Sequence, residues 1–431
     1  MRPPSLPKAH LISVEDLKPR DRNPRTHSRR QISKIARSIE EFGFLNPVLV
    51  DQHNRIVAGH GRVLAAQKLG LSEVPVLRVE HLCEQQLRAY VIADNELAAQ
   101  AGWDRELLAI ELGALVELNF DVELTGFDMG AVDLVIGQHE AEKRSQREDD
   151  LDGLTASSSA VSNFGDIWIL GHHRIICGNA LDAATYSLLL EDEKVRLTLT
   201  DPPYNVQIQG HVTSRKTQGE FAMASGEMSR EQFTKFLQDA FARVRTVSAE
   251  GALAQVFMDW RHLREILEAG DAEFAELLNL VVWAKNAGGM GSLYRSRHEL
   301  VFVFKVDDRP HTNNVMLGTH GRDRTNVWEY AGYSAIAAKD PLASEHPTPK
   351  PVRLLADAIL DVTDRNEVVL DPFAGSGSLL LAAERTGRRA RAIELEPRFV
   401  DLAVRRWQRQ TGKKATHAVS GRRFDEIAAE Q

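Results

Sequence analysis

Apolar residues recur along this chain in two rhythms, and the change between them divides it. After Ser28, Ile32, Ile35, Ala36 and Ile39 repeat at helical spacing. Ser28 and Gln31 have capping-box spacing before that run, and Gly43 stops it just after Phe42. Short apolar runs at 47–50, 55–58 and 74–79 each read as a buried strand. The second runs into Gly59-His60-Gly61-Arg62 and then an Ala- and Leu-rich helix that ends at Gly70. Residues 81–140 read as helices with short breaks. From Lys143 to Ser162 a charge run gives way to a Ser-rich stretch, whose low hydrophobicity predicts a flexible linker and a domain boundary.

Beyond Phe164 the pattern changes to alternating strands and helices. Apolar runs at 197–200, 254–258, 280–283, 300–304 and 368–370 read as strands, and 232–247 reads as an amphipathic helix. This alternation predicts an α/β fold with a mostly parallel sheet and helices on both faces. Ligands in such sheets bind beyond the carboxyl ends of the strands. The organisation expected is a small α/β or α+β unit over 1–110, a helical segment and linker over 111–163, and a larger domain over 164–431.

Composition narrows the class. No run of 18 apolar residues is present, so no membrane span is expected. The first ten residues lack the apolar core of a signal peptide. Cys83 and Cys177 form neither a disulfide framework nor a zinc-ligand pattern, so no metal site is expected and a reducing cytoplasm suits the chain. A net charge of −8 means that any nucleic-acid footprint must be local. The basic stretch Arg385, Arg388, Arg389, Arg391, Arg398, Arg405, Arg406, Arg409, Lys413 and Lys414 is one candidate, and a solvated helix face accounts for it equally well.

Three segments at predicted strand ends carry chemistry. Asp371-Pro-Phe373-Ala-Gly375-Ser-Gly377 is a strand-to-helix glycine turn, where missing Cβ atoms let a ligand approach the backbone. About twenty residues on, Glu394 ends a short strand and is placed to accept hydrogen bonds from ribose hydroxyls. Leu380 stands where a dinucleotide fingerprint needs its third glycine, and no P-loop exists, which favours S-adenosylmethionine (SAM) over NAD. Taken alone, the turn is equally a tight structural connection.

Asp201-Pro202-Pro203-Tyr204 is more specific. An exocyclic amine on a base is a poor nucleophile because its lone pair is delocalised into the ring. The Asp201 carboxylate accepting one N–H, and the Pro202 carbonyl accepting the other, would draw the nitrogen toward sp³. Two prolines hold that backbone rigid. Tyr204 offers a flat face to a base taken out of the duplex. A proline turn capping a strand is the plain alternative.

Together, Asp201-Pro-Pro-Tyr204 and Phe373-Ala-Gly-Ser-Gly377 resemble the signature of amino-DNA methyltransferases. The catalytic motif precedes the cofactor loop, which looks like the permuted, beta-type order. His346-Pro-Thr-Pro-Lys350-Pro351 resembles the family segment along the methionine end of SAM. The resemblance implies a Rossmann-like SAM-dependent methyltransferase sheet in permuted order. It implies catalysis by Asp201, Pro202, Pro203 and Tyr204, and cofactor binding by Asn179, Lys350, Asp371, Phe373, Gly375, Gly377 and Glu394. Asn179 replaces an acidic residue that contacts the cofactor's adenine in the family, and Ser378 replaces a commoner Thr.

The implied activity is site-specific methylation of adenine N6 in double-stranded DNA, in a bacterial or phage restriction-modification setting, with cytosine N4 as the alternative base. Three stretches look like target-recognition insertions: 205–230 with Arg215 and Lys216, 286–297 with Tyr294, Arg295 and Arg297, and 307–345 with Arg322 and Arg324. Their arginines suit guanine edges or phosphates, and a lid over the site is the lesser reading of each loop.

In the N-terminal part, Asn23-Pro-Arg25, Gly43-Phe-Leu-Asn-Pro47 and Gly59-His-Gly-Arg62 resemble the ParB/sulfiredoxin-like fold. Gly59, Gly61 and Arg62 make a phosphate site of the kind that binds CTP in ParB proteins. His60 replaces the usual Glu, which puts nucleotide hydrolysis in doubt. A retained scaffold that helps DNA docking is the other reading. A CTP-gated ParB-like DNA-binding switch with an accessory methyltransferase half is the alternative function from a different class; double-stranded DNA is the expected partner and a homodimer the candidate assembly of the chain.

Overall fold

The computed structural model describes residues 8–20, 24–100, 102–118, 120–144, 160–205, 226–286, 288, 293–315, 324–332 and 350–430. They belong to two units, Met1–Glu142 and Lys143–Gln431. Among the described residues no helix is long and apolar enough to cross a membrane.

The first unit runs β1 (Ala9–Ser13), α1 (Arg29–Phe42), β2 (Val48–Val50), β3 (Ile56–Ala58), α2 (His60–Leu69), β4 (Glu73–Arg78), α3 (Glu84–Gln100), α4 (Arg105–Glu117) and α5 (Met129–Arg144). Its sheet has the order β1-β4-β2-β3. Ser28 caps α1 as expected, its hydroxyl accepting from the Gln31 amide at 3.1 Å. The Gln31 side chain turns to the His27 ring, 3.1 Å away, so only half of a capping box forms. Strand β1 carries no fully buried residue and is held by pairing to β4, which is why no apolar run announced it. Val48, Val50, Val63, Val74 and Val76 build the core of this sheet, and Leu112, Val122, Val132 and Ile136 build a separate cluster under α4 and α5.

The second unit runs β5 (Ile167–Leu170), β6 (His173–Cys177), α6 (Ala183–Leu190), β7 (Val195–Thr200), α7 (Arg230–Val247), β8 (Ser248–Met258), α8 (Leu263–Glu273), β9 (Glu276–Ala284), β10 (His298–Lys305), β11 (Val327–Glu329), α9 (Val352–Val362), β12 (Val368–Asp371), α10 (Ser378–Thr386), β13 (Arg389–Glu394), α11 (Pro397–Thr411), β14 (Thr416–His417) and α12 (Phe424–Ala428). These strands form one sheet in the order β11-β9-β10-β8-β7-β12-β13-β6-β5-β14. The run β8-β7-β12-β13-β6 is parallel, whereas β10 lies antiparallel to both β8 and β9. Alternation along the strands feeds two cores, with an irregularity between Val195 and Leu197 of β7 switching the face there. Leu197, Leu199, Phe257 and Val369 face α9, α10 and α11, while Val195, Val256, Met258 and Leu370 face α6, α7 and α8. Each fully buried Leu or Phe contributes about 1.5–3 kcal/mol, so both faces are needed to hold the sheet.

The fold of this unit begins slightly before Phe164. The Asp401 carboxylate on α11 accepts from the Val161 amide at 2.6 Å and the Ser162 amide at 3.0 Å, which pins the end of the predicted linker into the core. The basic stretch is not a continuous positive surface. Arg388, Arg391 and Arg406 are buried, bonded to the Thr363 carbonyl, Glu193 and the Ser376 carbonyl respectively.

Candidate active site

Strand order brings distant motifs together. β12 pairs with β7, so the glycine loop after Asp371 and the tetrapeptide after Thr200 leave adjacent strand ends. The Thr200 hydroxyl donates to Asp371 Oδ1 at 2.7 Å and ties the two motifs directly. β13 and β6 deliver Glu394 and Gly178-Asn179 to the same edge, with the Gly178 amide 2.9 Å from the Glu394 carbonyl.

The tetrapeptide sits in a compact cluster of charge. Lys350 Nζ donates to Asp201 Oδ2 at 2.5 Å and lies 3.1 Å from Glu299 Oε2. The Tyr204 hydroxyl donates to Asp201 Oδ1 and lies 3.3 Å from Glu299 Oε2. Lys285 pairs with the other Glu299 oxygen. The Lys350 ammonium also faces the rings of Phe257 at 5.1 Å, Tyr204 at 5.6 Å and Trp283 at 5.9 Å. Burial pushes the Glu299 carboxyl up, but Lys350 and Lys285 outweigh it and hold the group at about 2. Burial raises the Asp201 carboxyl, Lys350 opposes that rise and Glu299 adds to it, leaving Asp201 above the usual carboxylate range. Burial lowers Lys350, yet Asp201 and Glu299 more than offset it, so this lysine is firmly charged.

Glu299 and Lys285 were not singled out from sequence. Each flanks an ordinary apolar strand, and only the antiparallel insertion of β10 beside β8 brings Glu299 to Tyr204. Lys350, expected near a cofactor carboxylate, is buried against Asp201 and Glu299. Asn205, at a φ of 51°, accepts from the amides of Gly226 and Met228 at 3.0 and 3.2 Å and so joins the two ends of the first insertion.

The glycine loop is built for close approach. Gly377 has a φ of 76°, and a Cβ there would fall 2.6 Å from Ala403 Cβ, so only glycine lets α10 start against α11. Arg406 holds the Ser376 carbonyl at 2.6 Å and its hydroxyl at 2.8 Å. The Glu394 carboxylate accepts from the Gly375 amide at 2.8 Å and the Glu396 amide at 2.8 Å. Burial pushes Glu394 up to about 7, against the lowering effect of these two amides. Asp371 is likewise pushed by burial to about 7, despite its bonds from Thr200 and the Phe373 amide. Phe373 is half-buried, with its ring 5.8 Å from that of Phe236. Asn179 Oδ1 accepts from the Leu181 amide at 2.9 Å. Asn179, Asp371, Phe373, Gly375, Gly377 and Glu394 thus share one edge of the sheet. A glycine cradle beside a buried carboxylate that accepts backbone amides fits an adenosyl ribose, because each carboxylate oxygen keeps a further acceptor direction.

The expected DNA-contacting residues divide. Arg215, Lys216 and Arg322 lie outside the described residues. Tyr294, Arg295 and Arg297 are exposed just before β10, at the same end of the sheet as Asp201. Arg324 turns inward instead. It pairs with Asp361 at 2.8 Å, donates to the Tyr330 hydroxyl at 2.9 Å and lies 4.8 Å from the Trp328 ring, so its guanidinium is engaged by neighbours within the unit.

In the first unit, Gly59 adopts a φ of 102° and starts α2. A Cβ there would meet an Arg62 guanidinium nitrogen at 2.9 Å. Arg62 Nε, His60 Nε2 and Arg20 Nη1 are buried without a hydrogen-bond partner among the described residues. Burial depresses His60, and His27 and Arg20 depress it further. Buried donors beside a helix N-terminus suit an anion.

Comparison with known proteins agrees with this division. A DNA methylase family model (N6_N4_Mtase) matches residues 195–405, a ParB N-terminal domain model matches 5–95, and a ParB-methyltransferase helix-turn-helix model matches 106–163. That last match covers α4 and α5 and the stretch that the residue pattern reads as a helical segment and linker. The ParB-like nuclease domain-containing protein YnaK of Escherichia coli (strain K12) is 44% identical over 73 residues, 17% of this chain and 84% of YnaK. The type II methyltransferase M.HpaI of Haemophilus parainfluenzae is 23% identical over 247 residues, 54% of this chain and 73% of that enzyme. The solved PvuII DNA methyltransferase (cytosine-N4-specific) overlays with a TM-score of 0.44 at 18% identity, covering 62% of this chain and 94% of that one. With the tetrapeptide, the glycine loop and the buried acid on one sheet edge, the chain belongs to the SAM-dependent N6/N4 family of DNA methyltransferases and carries a ParB N-terminal domain and a helix-turn-helix domain ahead of the catalytic one.

Proposed function

We propose that this protein methylates the exocyclic N6 of an adenine extruded from duplex DNA. The observation that carries the reading is the Asp201 carboxylate at the end of β7, next to the glycine loop on β12 and held by Lys350 and Tyr204. SAM, when bound, supplies an electrophilic methyl on a sulfonium. Glu394 would hold its ribose, and Gly375 and Gly377 would let the backbone approach it. Asp201 Oδ accepts one amine N–H and the Pro202 carbonyl accepts the other, which localises the nitrogen lone pair. The Tyr204 hydroxyl and the Lys350 ammonium fix the carboxylate in position, so little reorganisation is left for the reaction itself. The Tyr204 ring is proposed to stack on the extruded base.

Cytosine N4 is an amine of the same kind. A carboxylate at the first tetrapeptide position supports adenine by resemblance to the adenine enzymes. Expression of the full chain in a host free of DNA methylation, followed by base-resolution sequencing of modified DNA, tests this. N6-methyladenine in a defined sequence is the expected result. N4-methylcytosine would replace adenine as the target, and unmodified DNA would overturn the reading.

For the first unit, the unpartnered donors of Arg20, His60 and Arg62 support a nucleotide-phosphate site, with CTP the candidate ligand. The helix-turn-helix match supports a second DNA contact outside the catalytic unit. Calorimetric titration of the full chain with CTP distinguishes a nucleotide site from a scaffold.

A further inference from the structure

The edge that holds Asp201 carries an aromatic group for which the proposed chemistry has no role. Strand β8 ends at Met258, and Asp259-Trp260-Arg261-His262 follow. Register places them. Thr200 of β7 pairs with Val256 of β8, and Met258 pairs with Leu300 of β10, the residue after Glu299. Trp260 therefore stands at the rim of the strand ends that present Asp201, Tyr204 and Glu299.

The indole is exposed yet held in place. Trp260 is 50% exposed, although most large apolar side chains nearby are buried. Asp259 caps the turn by accepting from the Arg261 amide at 2.9 Å, and both its oxygens lie 3.1 Å from Arg261 Nη1. The Arg261 guanidinium lies over the Trp260 ring, 5.1 Å from its centroid. The next residue, His262, packs edge-on against buried Phe233 at 4.8 Å. One face of the indole is thus backed by a guanidinium whose own charge is already met by a carboxylate. That arrangement is poorly suited to gripping a phosphate. It is well suited to presenting a flat aromatic face to another flat aromatic group.

We propose that Trp260 is a stacking platform for a base of the substrate DNA next to the extruded one, with Asp259 and Arg261 as the clamp that orients the indole. This rests on the DNA-methylation reading above. A base that loses its neighbour to extrusion loses stacking, and an aromatic at the rim restores it. Stacking on an aromatic changes affinity by about five- to a hundredfold per base.

The test uses the full chain and sheared genomic DNA from a methylation-free host. Trp260→Ala is expected to raise the KM for DNA by about fivefold or more, with SAM binding and the circular-dichroism melting curve unchanged. Trp260→Phe is expected to keep most of the DNA affinity. Wild-type tryptophan emission should be quenched on adding DNA, and Trp260→Phe should lose much of that quench. An active wild-type enzyme whose DNA KM is unmoved by Trp260→Ala, or whose quench survives in Trp260→Phe, overturns the platform. Failure of the wild type to methylate any DNA removes the underlying reading instead. The quench comparison then still decides whether Trp260 meets DNA.

Discussion

Replacing Glu299 with Gln tests whether the charge cluster around the tetrapeptide is as closely balanced as its geometry indicates. The cluster holds two carboxylates, Asp201 and Glu299, and two ammonium groups, Lys350 and Lys285. Glu299→Gln keeps the shape but leaves both lysines with Asp201 as the one carboxylate of the cluster. Their side chains are 7% and 23% exposed, so neither charge is fully returned to water. Removing one partner of a buried pair costs about 3–5 kcal/mol, and the partial exposure of Lys285 places this case near the lower end. At about 2–4 °C per kcal/mol for a unit of this size, the catalytic unit should melt roughly 6–12 °C lower. Tryptophan emission is the assay, since five of the six tryptophans lie beyond residue 160. The double variant Glu299→Gln/Lys285→Met removes the stranded ammonium as well, and it should recover part of the loss, with a coupling of about 0.5–3 kcal/mol. Lys350 should then bind Asp201 more tightly, so kcat should fall in the single variant while SAM affinity holds. An unchanged melting point in the single variant, or a double variant no more stable than the single, would refute the reasoning.

Asp201→Ala is expected to lose about 10²–10³ in single-turnover methyl transfer while calorimetry still detects SAM binding; unchanged turnover contradicts the proposed role. Glu394→Ala should weaken SAM by the equivalent of about 1.5–3 kcal/mol, read as a shifted dissociation constant with the DNA KM unmoved. Glu394 and Asp371 titrate at about 7 in the fold, above ordinary carboxylates, so the folded chain holds extra protons between about pH 4 and 7. Stability of the cofactor-free protein should therefore decline as pH rises through that window and level off above it, and Glu394→Gln should flatten part of the slope in urea unfolding. Residues 160–431 should fold alone with a cooperative melt, because both of that sheet's faces are packed by helices of the same unit; an insoluble or molten fragment would argue otherwise. Arg62→Ala should weaken CTP binding by about tenfold or more if its guanidinium meets the phosphates, measured by the same titration as the wild type.

Much of this protein could be read from residue order alone. Strand ends with special chemistry are local features. Two prolines after Asp201 stiffen one turn, and glycines at 375 and 377 adopt positive φ in another, so each motif is recognisable without knowing its neighbours. The alternation of apolar runs likewise announced the strands that are buried on both faces. Other features depended on pairing between distant segments. β1 is an exposed edge whose existence rests on β4, and the buried arginines of the basic stretch are indistinguishable in sequence from solvated ones. Tertiary structure alone placed β12 beside β7, bonding Asp371 to Thr200 and setting the cofactor loop next to the tetrapeptide. It also placed β10 antiparallel beside β8, carrying Glu299 to Tyr204 and Lys350, and it turned Arg324 into pairing with Asp361. The physical reason is the same in each case. A turn's backbone chemistry is set within a few residues, whereas the partner of a charged side chain is set by strand order and register, which the packing of the whole sheet decides.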